Sequence, residues 1–326
     1  MSDDARERLE EVVAGLSYLP IGVVGDLVAE IFLAGVPERL SREAPILVLQ
    51  HDGETLVPGG AAYVAMVLGA LGAHVHLIGI VGADPAGTRL VETLKRTGLD
   101  TSGIVVSDRY ETPTRTRIMA GSATRAPRSI VRVDRTWNGP LPSGASGELL
   151  TRVRTVADRI SGWAFCDRGS GAAAPGAVAM LPGIRVVDSS ARLATFPAVT
   201  VATLNEEGAA AFTGRSAAAE GDVRAAAKAI LEKTGSENVV VTRGRLGLAL
   251  FGTEGRELFL PARGTGAVDP LGAGDVVTAV LAGALTAGAT PEEAATLANH
   301  AAGVAVGKTG LAVIAPRELV ERICAG

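Results

Sequence analysis

Short apolar runs rich in β-branched residues alternate with Ala/Leu-rich stretches along most of this chain. The clearest runs are Ile21–Val24, His76–Val81, Ile184–Val187 and Val239–Thr242. None shows a regular alternation of apolar and polar residues, as expected for strands covered on both faces. Helical stretches lie between them at Ala61–Leu71, Gly87–Thr97, Val223–Thr234, Asp275–Ala287 and Pro291–Val306. This alternation predicts an α/β fold: a doubly wound, mostly parallel sheet flanked by helices. Two stretches, 34–57 and 112–134, break the rhythm. They carry strand-like pieces such as Ile46-Leu47-Val48-Leu49 and Ile130-Val131-Arg132-Val133, with no long helix between them and their neighbours. We read both as parts of a small accessory sheet, with ordinary surface loops as the alternative.

The chain has 326 residues, 47% of them hydrophobic and 20% charged, enough to bury a sizeable core. No solenoid-period repeat and no linker divides it, so residues 1–326 read as a single domain. Lys+Arg number 31 against 35 Asp+Glu, a net charge of −4, which argues against a general nucleic-acid binder. Aromatic residues at 3% argue against a stacking platform for single strands. Cys166 and Cys324 lie far apart without CxxC spacing, so neither a structural zinc site nor a disulfide framework is expected. Met1-Ser2-Asp3-Asp4 is acidic and no apolar segment follows directly, so no signal peptide is expected and the cytoplasm is the default compartment. From Thr55 to Ala83 there is no Asp, Glu, Lys or Arg, a length that would span a bilayer. Pro58, Gly59, Gly60, Gly72, Gly79 and Gly82 fall where turns would be, so a buried helix followed by a buried strand fits better than a membrane span.

Four motifs carry the chemistry. The strongest is Asp269-Pro270-Leu271-Gly272-Ala273-Gly274-Asp275, running into the apolar stretch Val276–Ala287. Small residues let backbone N–H groups converge at a helix N-terminus, which binds anions. Asp275 beside such a hole has two readings: a base taking a proton from a hydroxyl, or a helix cap. The second motif, Pro58-Gly59-Gly60-Ala61-Ala62-Tyr63, permits close approach of a ligand to backbone, or simply a tight turn. The third, Thr242-Arg243-Gly244-Arg245-Leu246-Gly247, follows a strand, at the edge where open α/β sheets bind ligands. The fourth is Gly25-Asp26 after the first strand with Glu30 four residues on, read as acceptors for substrate hydroxyls or as solvated acids. Arg115, Arg117, Arg125, Arg128, Arg132 and Arg135 crowd the accessory region, either a phosphate clamp or a solvated basic face.

Together, in order and over nearly the whole chain, these motifs resemble the ribokinase (PfkB) family of carbohydrate kinases. Ser41-Arg42-Glu43-Ala44-Pro45, Thr114-Arg115-Thr116-Arg117, Arg132-Val133-Asp134, Thr242-Arg243-Gly244 and the segment Ala298-Asn299 through Gly310 are similar to its heptose-phosphate kinase branch. The resemblance implies a ribokinase-like fold whose lid is formed by about 34–57 and 112–134. It implies transfer of the ATP γ-phosphoryl group to the anomeric hydroxyl of a heptose 7-phosphate, with Asp275 as base and Gly272, Ala273 and Gly274 as anion hole. Asp26, Glu30, Gly59, Gly60, Tyr63, Arg115 and Arg117 would hold the phosphorylated sugar. Asn205, Thr242, Gly244, Gly247, Asp269 and Asn299 would lie along the nucleotide. ATP, Mg²⁺ and a monovalent cation are the implied cofactors, with no metal ligand assigned, and a homodimer through the lid is the implied assembly. Some members of the branch carry a nucleotidyltransferase domain, for which this chain is too short. The chain departs from the branch at four positions: Glu30 for Asp, Tyr63 for Asn, Gly208 for Glu and Leu271 for Thr. The first two bear on the sugar pocket, the last two on metal and phosphate handling. A kinase of another sugar or a nucleoside, and a catalytically silent binding protein of the same fold, are the alternatives.

Overall fold

The computed structural model describes residues 2–122, 125–190, 192–264 and 268–325. Its strands are β1 (Pro20–Gly25), β2 (Leu27–Leu40), β3 (Leu47–Gly60), β4 (His74–Gly82), β5 (Ile104–Ser107), β6 (Thr114–Ser122), β7 (Arg125–Arg135), β8 (Gly162–Cys166), β9 (Ile184–Asp188), β10 (Val201–Asn205), β11 (Asn238–Thr242), β12 (Leu248–Gly252) and β13 (Glu257–Leu260). Its helices are α1 (Asp3–Ala14), α2 (Ala61–Ala70), α3 (Pro85–Arg96), α4 (Ala145–Ala157), α5 (Pro175–Val178), α6 (Glu206–Thr213), α7 (Glu220–Thr234), α8 (Ala273–Thr286), α9 (Pro291–Ala305) and α10 (Pro316–Cys324).

Nine strands form one sheet in the order β13-β12-β11-β10-β9-β8-β1-β4-β5. Neighbours from β11 across to β5 pair in parallel, and β12 and β13 add an antiparallel edge. Successive residues of a strand point to opposite faces. Here each face meets its own core: Val23, Ala164, Val186 and Val240 join one cluster, and Val24, Phe165, Val187 and Val241 the other. Both faces are dry, which is why these strands read as unbroken apolar runs.

A second sheet has the order β3-β2-β6-β7. β2 pairs antiparallel with β3 and parallel with β6, and β6 pairs antiparallel with β7. Its strand β2 begins earlier than the sequence marks, at Leu27 rather than residue 34. Leu27, Val28 and Ala29 are buried at the base of the sheet, so after Gly25-Asp26 they read as part of the core rather than as the start of an accessory strand. The uncharged stretch 55–83 resolves into the end of β3, α2 and β4. Among the described residues no helix is long and apolar enough to cross a membrane.

The buried helix α2 packs on α8, so the two helices that open at the cleft described below share one core. Leu68 is fully buried in that contact. Leu68→Ala is expected to lower unfolding stability by about 2–5 kcal/mol, read from the midpoint of a urea transition whose slope stays unchanged.

Candidate active site

The parallel strands end on one edge, and the order reverses at β1, which lies between β8 and β4. Ligands of open α/β sheets bind in that crevice. The residues at or just past the strand ends are Asp26 after β1, Asp167 and Arg168 after β8, Asp188 on β9, Asn205 on β10 and Thr242 on β11. A cavity of about 180 Å³ lies there, lined by Arg168, Asp188, Ser190, Asn205, Thr242 and Gly274 among others.

The first turn of α8 faces this cavity. Gly272, the residue before the helix, has φ 78°, and a Cβ there would stand 2.4 Å from Leu311 Cδ2 and 2.6 Å from Tyr63 Cε1. Only glycine admits that turn in that space. The Ala273 N–H reaches the Pro270 carbonyl at 3.3 Å and the Val276 N–H that of Gly272 at 3.0 Å. The N–H groups of Gly272, Gly274 and Asp275 have no acceptor among the described residues and are the free donors at the start of the helix, while that of Ala273 is engaged. Asp275 does not cap the helix with its side chain. Its Oδ1 instead accepts from Arg168 Nη2 at 2.5 Å, and the same nitrogen donates to Asp188 Oδ2 at 2.6 Å. Burial pushes the Asp275 carboxyl above the usual carboxylate range, while Arg168 pulls against that shift and Asp188 adds to it.

Asp26 is fully buried, and its carboxylate accepts the N–H groups of Arg168 (2.7 Å), Ser170 (2.9 Å) and Ala172 (2.9 Å). Burial raises its pKa despite these three donors, which act to lower it. Next to it, Gly60 takes φ 60°, and a Cβ there would lie 2.4 Å from the Asp26 carbonyl oxygen. Gly59 is equally tight, since its Cβ would lie 2.6 Å from Glu30 Cγ. Glu30 is buried on β2, and its carboxylate accepts from Arg115 (3.2 Å) and Arg117 on β6. Of the other arginines in that region, Arg128, Arg132 and Arg135 are exposed on β7, and Arg132 pairs with Asp134. The side chain of Arg125 lies outside the described residues. Tyr63 is buried beneath Gly272 and donates its hydroxyl to the Ala312 carbonyl at 2.8 Å. Burial, then the nearby Asp275, raises its pKa.

On the other flank, Asn205 caps α6 by accepting the Gly208 N–H at 2.7 Å. A Cβ on Gly208 would stand 2.7 Å from Ser190 Cβ, so no longer side chain fits that position in this packing. Glu206 pairs with the buried Arg243 at 3.1 Å. Gly244 and Gly247 hold the turn after β11 at φ 52° and 93°, closed by the Arg243 N–H on the Gly247 carbonyl. Asp269 accepts the N–H groups of Leu271 and Gly310, tying the loop before α8 to the 310 region. Asn299 is buried and donates to the Pro261 carbonyl at 2.8 Å, away from the cluster around Asp275. Arg168 and Asp188 sit at the centre of the site, and the motif reading passed over both. Their signal is a charged residue directly after an apolar strand, Trp163-Ala164-Phe165-Cys166 before Asp167-Arg168 and Val186-Val187 before Asp188.

The sequence matches the pfkB family carbohydrate kinases over residues 21–136 and 184–317, so the chain belongs to that family. It is accordingly a phosphotransferase acting on a sugar hydroxyl. Among its relatives, the bifunctional protein HldE of Gluconobacter oxydans is 35% identical over 314 residues, covering 93% of this chain and 64% of the relative. The bifunctional protein HldE of Paramagnetospirillum magneticum is 35% identical over 320 residues, covering 96% of this chain and again 64% of the relative. The chain thus spans just under two thirds of these relatives. In fold it is similar to the phosphofructokinase-2 of Escherichia coli solved with potassium, at TM-score 0.76, 18% identity and coverage of 95% and 99%. It is also similar to the Arabidopsis thaliana ribokinase complexed with ribose and ATP, at TM-score 0.68, 17% identity and coverage of 94% and 99%.

The Tyr63 hydroxyl ties α2 to the 310 region underneath the free N–H groups of α8. Tyr63→Phe removes one part-buried hydrogen bond and is expected to reduce stability by about 0.5–1.5 kcal/mol, well below the effect of emptying the Leu68 site, in the same urea titration.

Proposed function

We propose that the chain is an ATP- and Mg²⁺-dependent kinase that phosphorylates the anomeric hydroxyl of D-glycero-D-manno-heptose 7-phosphate or a close relative. The observation that carries this reading is the Asp275 carboxylate, partly buried beside three N–H groups at the start of α8 that have no acceptor among the described residues. In such a place the carboxylate accepts the proton of the attacking hydroxyl, and the N–H groups of Gly274 and Asp275 stabilise charge on a phosphoryl group in transit. Similarity to HldE proteins and the arginines on β6 favour a phosphorylated heptose over a free sugar or a nucleoside. Arg115 and Arg117 outnumber Glu30, leaving one positive charge for a substrate phosphate.

Residues along β10, β11 and the start of α8 line the nucleotide side. Asn205 and Glu206 present oxygen donors there, which suit a hard cation that keeps phosphate oxygens and water as its other ligands. When bound, Mg²⁺ neutralises phosphate charge. Gly208 leaves no carboxylate at the position where the heptose kinase branch carries one, and Glu206 and Glu207 are the carboxylates just before it. The four-stranded sheet is read as the lid of a single kinase domain, excluding water from the cleft. It carries exposed apolar side chains, among them Leu40, Ile130, Val131 and Val133, which fit pairing with a second copy of the chain in the cytoplasm.

ADP release is to be measured with Mg²⁺-ATP against heptose 7-phosphate, other sugar phosphates, free sugars and nucleosides. Turnover is expected on the heptose 7-phosphate, and Asp275→Asn is expected to lower it by roughly 10²–10⁴-fold with nucleotide binding kept. Comparable turnover in that variant would reduce Asp275 to a structural residue. Sedimentation velocity should show a dimer that Val133→Asp converts to monomer; a monomeric wild-type chain at micromolar concentration would sink the lid-dimer reading.

A further inference from the structure

We infer that Arg168 is the positioning residue for the base, holding Asp275 through Oδ1 so that Oδ2 is left to take the hydroxyl proton. The inference rests on the reading of Asp275 as that base. Arg168 Nη2 lies 2.5 Å from Asp275 Oδ1 and 2.6 Å from Asp188 Oδ2, while Asp275 Oδ2 accepts no hydrogen bond among the described residues. The arginine is fixed at both ends. Its own N–H, with those of Ser170 and Ala172, is bound by the buried Asp26 carboxylate. Its guanidinium is held by Asp188, which also accepts from Thr278 at 3.3 Å. A buried pair that served stability alone would be weak evidence of function. Here Arg168 and Asp188 line the cavity beside Gly274, and 21% of the Arg168 side chain and 16% of the Asp275 side chain stay exposed.

One guanidinium between two carboxylates sets the charge on the base in two opposed ways. Arg168 favours the ionised form of Asp275 and Asp188 disfavours it. The other charged or titratable groups facing Asp275 are Arg115 from β6, Tyr63 from α2 and Cys166 from β8. Burial raises the pKa of both Tyr63 and Cys166, so neither changes charge across the range where Asp275 titrates. Opposite shifts from two neighbouring substitutions therefore identify the arrangement, because general loosening of the fold would not separate them.

The test is a ¹³C NMR titration of the aspartate carboxyl carbons in the full chain, with the Asp275 signal assigned by its loss in Asp275→Asn. Arg168→Met is expected to raise the Asp275 midpoint by about 1–3 units, Arg168→Lys to restore part of it, and Asp188→Asn to lower it. With heptose 7-phosphate as acceptor, the acid limb of the kcat profile should follow the same order, with kcat falling more than the KM for ATP rises. An Asp275 midpoint that stays put in Arg168→Gln and in Asp188→Asn, in chains with native amide spectra, overturns the inference even if Arg168→Met fails to fold. Normal turnover in Asp275→Asn overturns the base reading instead and leaves the titration to judge the pairing alone.

Discussion

The site hangs on one buried carboxylate. Asp26 joins three parts of the chain that are distant in sequence. Its side chain gathers the backbone of residues 168–172, its carbonyl accepts the Ala61 N–H at the start of α2, and its own N–H reaches the Cys166 carbonyl at the end of β8. An unpaired carboxylate at this depth would be prohibitively desolvated, so the three N–H donors and the turn that supplies them are required by its burial. That turn places Arg168. The Gly59-Gly60 pair is small for the same reason, since Asp26 and Glu30 occupy the space where side chains would stand. Asp26 is thus a scaffold for the loop that holds Arg168 against Asp275.

The departures from the heptose kinase branch look different once their neighbours are named. Tyr63 fills the space under Gly272 and bonds to the Ala312 carbonyl, so it supports the anion-binding turn from below. Gly208 is pressed against Ser190 and donates its N–H to Asn205. Leu271 packs on the core beside α8. Each is absorbed by packing, and none removes the free N–H groups of α8 or the carboxylate of Asp275. That weighs against a silent binding protein, whose machinery would be free to lose those groups.

Much of the fold was legible because its signals are local. Parallel strands covered on both faces leave unbroken apolar runs, and the uncharged stretch 55–83 holds one strand end, one helix and one strand. Asp275 was legible for a similar reason: a small-residue turn followed by a carboxylate and an apolar helix is contiguous. Arg168 was not. Its partners lie 142, 20 and 107 residues away, at Asp26, Asp188 and Asp275. They meet only because β1 sits between β8 and β4 and β9 lies beyond β8, an order that no local pattern encodes. Asn299, set along the nucleotide by resemblance alone, donates its side chain to the Pro261 carbonyl.

The two arginine groups divide their work by exposure. Arg117 is buried and tied to Glu30, so its charge is matched inside the small sheet. The Arg115 side chain is about one-third exposed (32%), shares the same carboxylate at the longer distance of 3.2 Å, and lowers the pKa of Asp275. It therefore stands between Glu30 and Asp275, the two carboxylates of the proposed sugar side and proposed base. A dianionic group bound there would draw on the field that Arg115 otherwise lends to Asp275. The carboxylate would then be held less firmly in its ionised form and would become a stronger proton acceptor at the moment the substrate is in place. On that reading Arg168, held by Asp188 and by its own N–H on Asp26, keeps Asp275 ionised before the substrate arrives. The small sheet, through Arg115, and the loop after β8, through Arg168, thus both act on the one carboxylate of Asp275.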